Sequence, residues 1–181
     1  MRLVINTAAT FRPFEVNEIK DHPALRISGT EQTAILDGMI DSAVTAYEDY
    51  TEQILCRSTW DLYLEEFNDP IWTPAPLASV SSVKYYDTSN AQQTLSTDYY
   101  EVDITNSLYG RIGLKYGQSW PSIYDRFDAV IIQFLAGYAS AAAIPQQIKD
   151  GLLYKIQELY YGSDMSDAYR NAWISYKRLS A

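Results

Sequence analysis

Residues Thr30–Leu55 read TEQTAILDGMIDSAVTAYEDYTEQIL and predict one long amphipathic helix. Its apolar residues recur at alternating spacings of four and three, so they form a single stripe along the helix. The members of this stripe are Leu36, Ile40, Ala43, Tyr47, Tyr50 and Ile54. A stripe of this kind is buried against other elements, so the rest of the chain is expected to pack around this helix.

A second stripe of the same predicted helix is acidic, and no Lys or Arg occurs between Arg26 and Arg57. Like charges one turn apart destabilise a helix by roughly a few tenths of a kcal/mol for each pair. The acidic stripe therefore lowers the stability of the helix. Either a function of these carboxylates offsets that loss, or the stripe is simply a solvated face. Its members are Asp37, Asp41, Glu48 and Glu52.

After the helix, the apolar period changes to two, which predicts strands. Trp60, Leu62 and Leu64 alternate with polar residues, and turn residues separate further aromatic and β-branched runs. The last run, DAVIIQFLAGYA, is apolar throughout, as expected of a strand covered on both faces. The expected strands lie at residues 79–87, 98–104, 111–117 and 128–139.

Helical patterns then return. Pro145 suits a first helical position, Gly162 suits a left-handed cap, and Asp164 can cap a last helix. The predicted fold class is therefore α+β, with a helical core made of the long N-terminal helix plus two C-terminal helices, and an inserted small antiparallel β-sheet. The expected divisions are an N-terminal arm with the long helix, an inserted β subdomain and the C-terminal helices, at 1–57, 58–140 and 141–181.

The composition excludes several classes of protein. With 14 Lys and Arg against 23 Asp and Glu, the 181-residue chain carries a formal charge of -9, which argues against gripping nucleic acid phosphates. Cys56 is the one cysteine, so no internal disulfide is possible and a reducing cytoplasm is expected. The first residues lack the apolar run of a signal peptide, and polar residues interrupt the uncharged stretch Ala129–Ile148, so no membrane span is predicted.

Residues for catalysis are sparse. The single histidine, His22, is far in sequence from Cys56, and one His with one Cys cannot build a zinc site. Asp61 and Glu65 could share a strand face as a glycosidase pair does, but an exposed strand face is the favoured explanation, because nothing marks a carboxyl with a raised pKa. The sequence predicts no enzyme, no cofactor and no metal site.

Aromatic residues are abundant around the predicted sheet, within totals of four Trp, sixteen Tyr and five Phe. One interpretation is that bulky rings fill the core of a thin sheet. The other is a surface for a protein or a carbohydrate, because such rings offer a large rigid contact area with a polar tip. Adjacent pairs such as Tyr85–Tyr86 place one ring on each face of a strand. The candidates for an aromatic interface are Trp72, Tyr86, Tyr100 and Trp120.

Several phrases, in their order and spacing between about Leu25 and Gly162, give the chain a family resemblance. They are ALRI, PAPLASVSSVKYYD, RIGLKYGQSWP, FLAGYA and IPQQIKDGLLYKIQELYYG. With them the chain resembles the head-tail connector, or adaptor, proteins of tailed phages. The first twenty residues and the final helix match less well.

The resemblance implies a structural, non-enzymatic protein of the virion neck, made in the host cytoplasm. It implies a homo-oligomeric ring, expected to be a dodecamer, that lies below the portal protein, extends the DNA channel and docks a tail-side connector or tail-terminator protein. DNA would pass through without sequence-specific binding, and no membrane is involved.

In such a ring, residues Met1–Phe14 and the end of the last helix are expected to contact other chains. The candidates for docking on an acidic portal surface are Arg170, Trp173, Lys177 and Arg178. The acidic stripe would face either the channel, where it repels DNA phosphates, or a subunit boundary. The alternative to this function is a carbohydrate-binding or protein-binding β module that uses the surface aromatics.

Overall fold

The computed structural model describes residues 1–23, 25, 33–106 and 108–178. The chain divides into two compact units. The β unit combines Met1–Thr10 with Arg57–Gly137, and the helical unit combines Phe11–Cys56 with Tyr138–Ala181.

The larger sheet of the β unit has five antiparallel strands in the order β1-β2-β8-β4-β5. These strands are β1 (Arg2–Thr7), β2 (Ser58–Leu64), β4 (Leu77–Tyr86), β5 (Gln92–Thr94) and β8 (Val130–Ala136). Alternate residues of the central strands point into the core, where Leu62, Ile132 and Phe134 are fully buried. Along β8, buried and half-buried residues alternate, so one face is less covered than the other, whereas the sequence predicted a strand with both faces covered.

The smaller sheet of the same unit has three antiparallel strands in the order β3-β7-β6. They are β3 (Ile71–Thr73), β6 (Tyr100–Asp103) and β7 (Gly110–Leu114). Pro74 and Pro76 lie between β3 and β4, outside both strands, because proline cannot donate a ladder hydrogen bond.

The helical unit has four α-helices among its described residues. They are α1 (Val16–Lys20), α2 (Thr33–Thr51), α3 (Gln146–Tyr161) and α4 (Ser166–Trp173). Helix α2 packs on α3, and α3 packs on α4. The apolar stripe of α2 is buried as expected at Leu36, Ile40, Ala43 and Tyr47. Two single-turn 3₁₀ helices, Ala141–Ala143 and Ile174–Tyr176, complete the unit.

The helix ends have identifiable causes. Helix α2 ends at Thr51, because Glu52 takes the left-handed conformation at φ 57°. The next residue, Gln53, accepts a hydrogen bond from the Tyr47 hydroxyl at 3.0 Å and donates one to the Tyr176 carbonyl at 2.6 Å. The predicted left-handed cap at Gly162 is confirmed: its φ is 68° and its N–H donates to the Glu158 carbonyl at 2.9 Å.

The predicted architecture, a helical core with an inserted small β-sheet, is wrong. The described chain has four helices and two antiparallel sheets of five and three strands, and its helices do not form a core around a long N-terminal helix. The main physical reason is β1. Residues predicted to be an extended arm pair with β2, from Arg2 opposite Tyr63 to Thr7 opposite Thr59. The predicted start of the long helix at Thr30 lies outside the described residues.

Candidate interaction surfaces

The acidic residues of α2 are not a continuous stripe. Arg12, from the segment before α1, forms ion pairs with Asp37 at 2.6 Å and with Asp41 at 3.1 Å. The first half of the predicted stripe is therefore partly neutralised within the helical unit. Sequence reasoning missed Arg12, because the contact joins residues that lie 25 and 29 positions apart.

The second half of the stripe separates into two different environments. Glu48 is half-buried and accepts a hydrogen bond from the Leu55 N–H at 2.9 Å, which satisfies a backbone donor just after the helix end. Burial raises the pKa of the Glu48 carboxyl, and the nearby charge of Asp49 adds to this. Glu52, by contrast, is exposed and lies beyond the last helical residue.

The raised pKa of Glu48 predicts a pH dependence of stability. Below the ordinary pKa of 4.5, the carboxyl is protonated in both the folded and the unfolded chain. Above it, the unfolded chain releases the proton while burial retains it in the folded chain, so rising pH favours the unfolded chain. The free energy of unfolding is therefore expected to fall as pH rises from 4.5 through the raised pKa. In Glu48→Gln this fall should disappear, as measured by urea denaturation across that pH range. The exposed control Glu52→Gln should retain it, and an unchanged pH profile in Glu48→Gln would contradict the account.

The C-terminal candidates occupy three environments. Arg170 and Lys177 are exposed, and the Lys177 ammonium lies 4.9 Å from the centre of the Tyr50 ring. The Arg178 backbone N–H donates to the Thr51 carbonyl at 3.0 Å, which anchors the last described residue to the end of α2. Trp173 is fully buried, and its indole N–H donates to the Ile148 carbonyl at 3.2 Å.

A residue that sequence reasoning missed lies between these cations. Ile174 is 60% exposed, although it directly follows the buried Trp173. Ile174 is the first residue of the 3₁₀ turn that follows α4, and its side chain there is mostly in solvent. We name Arg170, Ile174 and Lys177 the C-terminal basic surface.

The four aromatic candidates do not form one platform. Trp72, on β3, remains partly exposed and packs edge-on against Tyr109 at 4.7 Å. Tyr86, on β4, is covered by the Arg126 guanidinium at 4.0 Å from its ring centre. Tyr100 is 5% exposed, and Trp120 stacks on Phe67 at 4.7 Å. Of the four rings, therefore, only Tyr100 is buried, and each of the other three packs against a neighbouring side chain of the β unit.

The residues considered for catalysis are held by ordinary structural contacts. Asp61 accepts hydrogen bonds from the side-chain amides of Asn6 at 2.9 Å and Gln133 at 3.2 Å. Glu65 is exposed beyond the end of β2. Within the described ranges, no group of three or more His, Cys, Asp or Glu residues could hold a metal ion. That the protein is not an enzyme stays a prediction.

The fold and its candidate surfaces define a class of protein with two units, one of two antiparallel sheets and one of packed helices. No protein-family model and no curated protein sequence matches the chain. In the described part of the chain, no helix has both the length and the apolar character needed to span a membrane.

Solved structures do share the fold over its full length. A chain in the neck of an empty gene transfer agent particle, computed with C6 symmetry, superposes with a TM-score of 0.83 at 22% identity, covering 100% of this chain and 97% of that one. A chain in the virion of a native gene transfer agent particle gives the same values. A chain in the native neck, computed with C12 symmetry, gives a TM-score of 0.78 at 21% identity with the same coverage. At this identity the likeness establishes the fold.

Proposed function

We propose that this chain is a structural subunit of the neck of a phage-like particle. The observation that carries the proposal is the likeness in fold to neck chains over the whole length of both chains. Function then resides in surfaces that contact other chains, and the two units supply separate surfaces for different partners.

The finer assignment is that of a head-tail adaptor. Copies of the chain form a closed ring below the portal protein, extend the DNA channel and dock a tail-side connector or tail-terminator protein. The C6 and C12 symmetries of the solved necks support a ring with sixfold or twelvefold symmetry, and we propose a dodecamer. The net charge of -9 supports a channel along which DNA passes without adhering.

The exposed carboxylates of the helical unit are assigned to the channel or to a subunit boundary. Asp41 and Glu52 are exposed, and Asp41 shares the Arg12 guanidinium with Asp37. Ring symmetry repeats these carboxylates around the channel, where they repel phosphates. Glu48 has no part in this proposal because it is half-buried and its carboxylate accepts the Leu55 N–H. Placement of Asp41 and Glu52 on the outer rim of the ring would refute the assignment.

The C-terminal basic surface is assigned to the portal. Two exposed cations that flank an exposed isoleucine fit an acidic surface with a small apolar depression. We leave Trp173 out of this surface because it lies in the core of the helical unit. Arg178 adds a third cation at the end of the described chain.

Reversing charge on this surface is expected to weaken attachment to the portal. In the double variant Arg170→Glu/Lys177→Glu, two charges change sign and the net charge of the contact falls by four units, so we expect about a tenfold or greater fall in heads that carry a neck. The measurement is a count of particles by negative-stain electron microscopy. The matched control, Arg170→Lys/Lys177→Arg, retains both charges and should assemble normally. Normal assembly of the charge-reversed variant would contradict the assignment of the C-terminal basic surface to the portal.

The experiment that tests the proposed function is removal of the gene from particle-producing cells. A neck subunit is required to join heads to tails, so filled or empty heads and free tails should accumulate separately. The intact chain supplied from a plasmid should restore joined particles. Normal, infectious or transferring particles in the absence of the chain would contradict the proposal.

A further inference from the structure

One end of the five-stranded sheet presents unusually exposed apolar side chains. This end is formed where β1 and β8 begin and where β2 and β4 end. Phe127, two residues before the buried Ala129, is 81% exposed. Tyr124 is held here because its N–H donates to the Tyr86 carbonyl at 3.0 Å, and Met1 precedes β1. We name Met1, Tyr124 and Phe127 the sheet-end patch; all three side chains are exposed.

The backbone around Phe127 is held on both sides while its ring projects into solvent. On one side, the Arg126 guanidinium stacks 4.0 Å from the Tyr86 ring centre and donates to the Asn90 side-chain oxygen at 3.0 Å. On the other side, Asp128 takes a left-handed φ of 57° and forms an ion pair with Arg2. An exposed aromatic side chain on a backbone that is already fixed requires little ordering of the main chain on binding, which suits an interface anchor.

The charges beside the patch restrict its partner. Glu65 and Glu66 directly follow β2, whose last residue Leu64 is opposite Val130, so they lie at the same end of the sheet as Phe127. Asp125 lies two residues before Phe127. Among the described residues, none of these three carboxylates forms an ion pair, whereas Asp128 is paired with Arg2. Arg126 and Arg2 also lie at this end of the sheet, so four carboxylates (those three and Asp128) stand against two guanidinium groups. The rim of the patch is therefore acidic on balance, which favours a basic partner surface and disfavours nucleic acid.

We propose that the sheet-end patch binds a different protein of the neck or tail, through an apolar pocket that receives Phe127 and a Lys- or Arg-rich rim that faces Glu65, Glu66 and Asp125. This inference rests on the proposed function and names the surface for one of its partners. A second copy of the chain fits less well, because its C-terminal basic surface carries a protruding Ile174 where the patch requires a pocket.

Site-specific cross-linking identifies the occupant. The photoreactive analogue p-benzoylphenylalanine replaces Phe127 in particle-producing cells, and cross-linked peptides from purified particles are read by mass spectrometry. We expect a cross-link to a different protein, at a site flanked by Lys or Arg. The same analogue at the fully exposed Tyr116 is the control for non-specific reaction. A cross-link from position 127 to another copy of this chain, or none above the control, would overturn the proposal.

Two variants measure the contribution of the patch. In Phe127→Ser and in Glu65→Lys/Glu66→Lys, joined particles should fall about tenfold or more, while the chain still enters the particle; Phe127→Tyr should assemble normally. Circular dichroism should show native folding, because these side chains are exposed. Normal joining in both variants overturns this inference and leaves the neck function intact. Absence of the wild-type chain from particles instead overturns the neck function, and this inference with it.

Discussion

Replacing Trp173 with alanine is expected to lower the free energy of unfolding by about 4 kcal/mol. The indole is fully buried and contacts Tyr47 edge-on, with ring centres 5.5 Å apart. Its N–H donates to the Ile148 carbonyl, so the substitution leaves a cavity and removes a hydrogen bond that α4 makes to α3. The loss would detach α4 from α3. Guanidinium denaturation followed by far-ultraviolet circular dichroism measures the change without relying on tryptophan fluorescence.

The adjacent residue provides the control for Trp173. Ile174→Ala removes a side chain that is mostly in water, so its effect should stay within about 0.5 kcal/mol. Equal stabilities of the two variants would contradict the placement of Trp173 in the core. Weakened portal attachment in Ile174→Ala, with unchanged stability, would support a docking role for Ile174 and a purely structural role for Trp173.

Replacing Gly110 with alanine is expected to destabilise the chain by about 2–3 kcal/mol. A β-carbon at this position would lie 2.3 Å from the Thr73 Oγ1 and 2.5 Å from the Leu77 Cδ2. Thr73 and Leu77 are both buried, so neither can move into solvent to relieve the contact. The close approach joins β3, β4 and β7, and its disruption should loosen the β unit. Thermal and chemical denaturation of the variant measure the loss.

Gly113, on the same strand, is the matched control. A β-carbon there would meet nothing nearer than the Asp69 Oδ1 at 3.7 Å, which is an ordinary contact distance. Gly113→Ala is therefore expected to leave stability within about 0.5 kcal/mol of the parent chain. If Gly113→Ala were as damaging as Gly110→Ala, an intrinsic preference of the strand for glycine would replace the steric explanation.

Features set by local sequence could be predicted, and those set by distant contacts could not. The 3.6-residue period located α2 and α3, and the glycine after Tyr161 located the cap at Gly162. Strand β1 was missed because its pairing with β2 joins residues about sixty positions apart. Strands β3 and β5 have three residues each, too few for a period to be recognised.

In the candidate surfaces too, local sequence could be interpreted correctly only where contacts from distant residues did not decide the outcome. Trp173 was among the sequence-based candidates for portal docking, whereas it is buried, and its burial depends on Gly151 of α3, where a β-carbon would lie 2.1 Å from the indole nitrogen. No local signal reveals that space. Likewise, Arg12 neutralises part of the acidic charge of α2, although it lies far from that helix in sequence. Phe127 is exposed because of a turn that is held by contacts from Arg2, Tyr86 and Asn90.

The most direct measurement of the central claim is an electron cryo-microscopy reconstruction of the particle neck from cells that encode this chain. We expect a closed ring, of sixfold or twelvefold symmetry, whose density fits the β unit and the helical unit, between the portal and the tail. A neck whose density excludes this chain, or its location outside the junction of head and tail, would contradict the account.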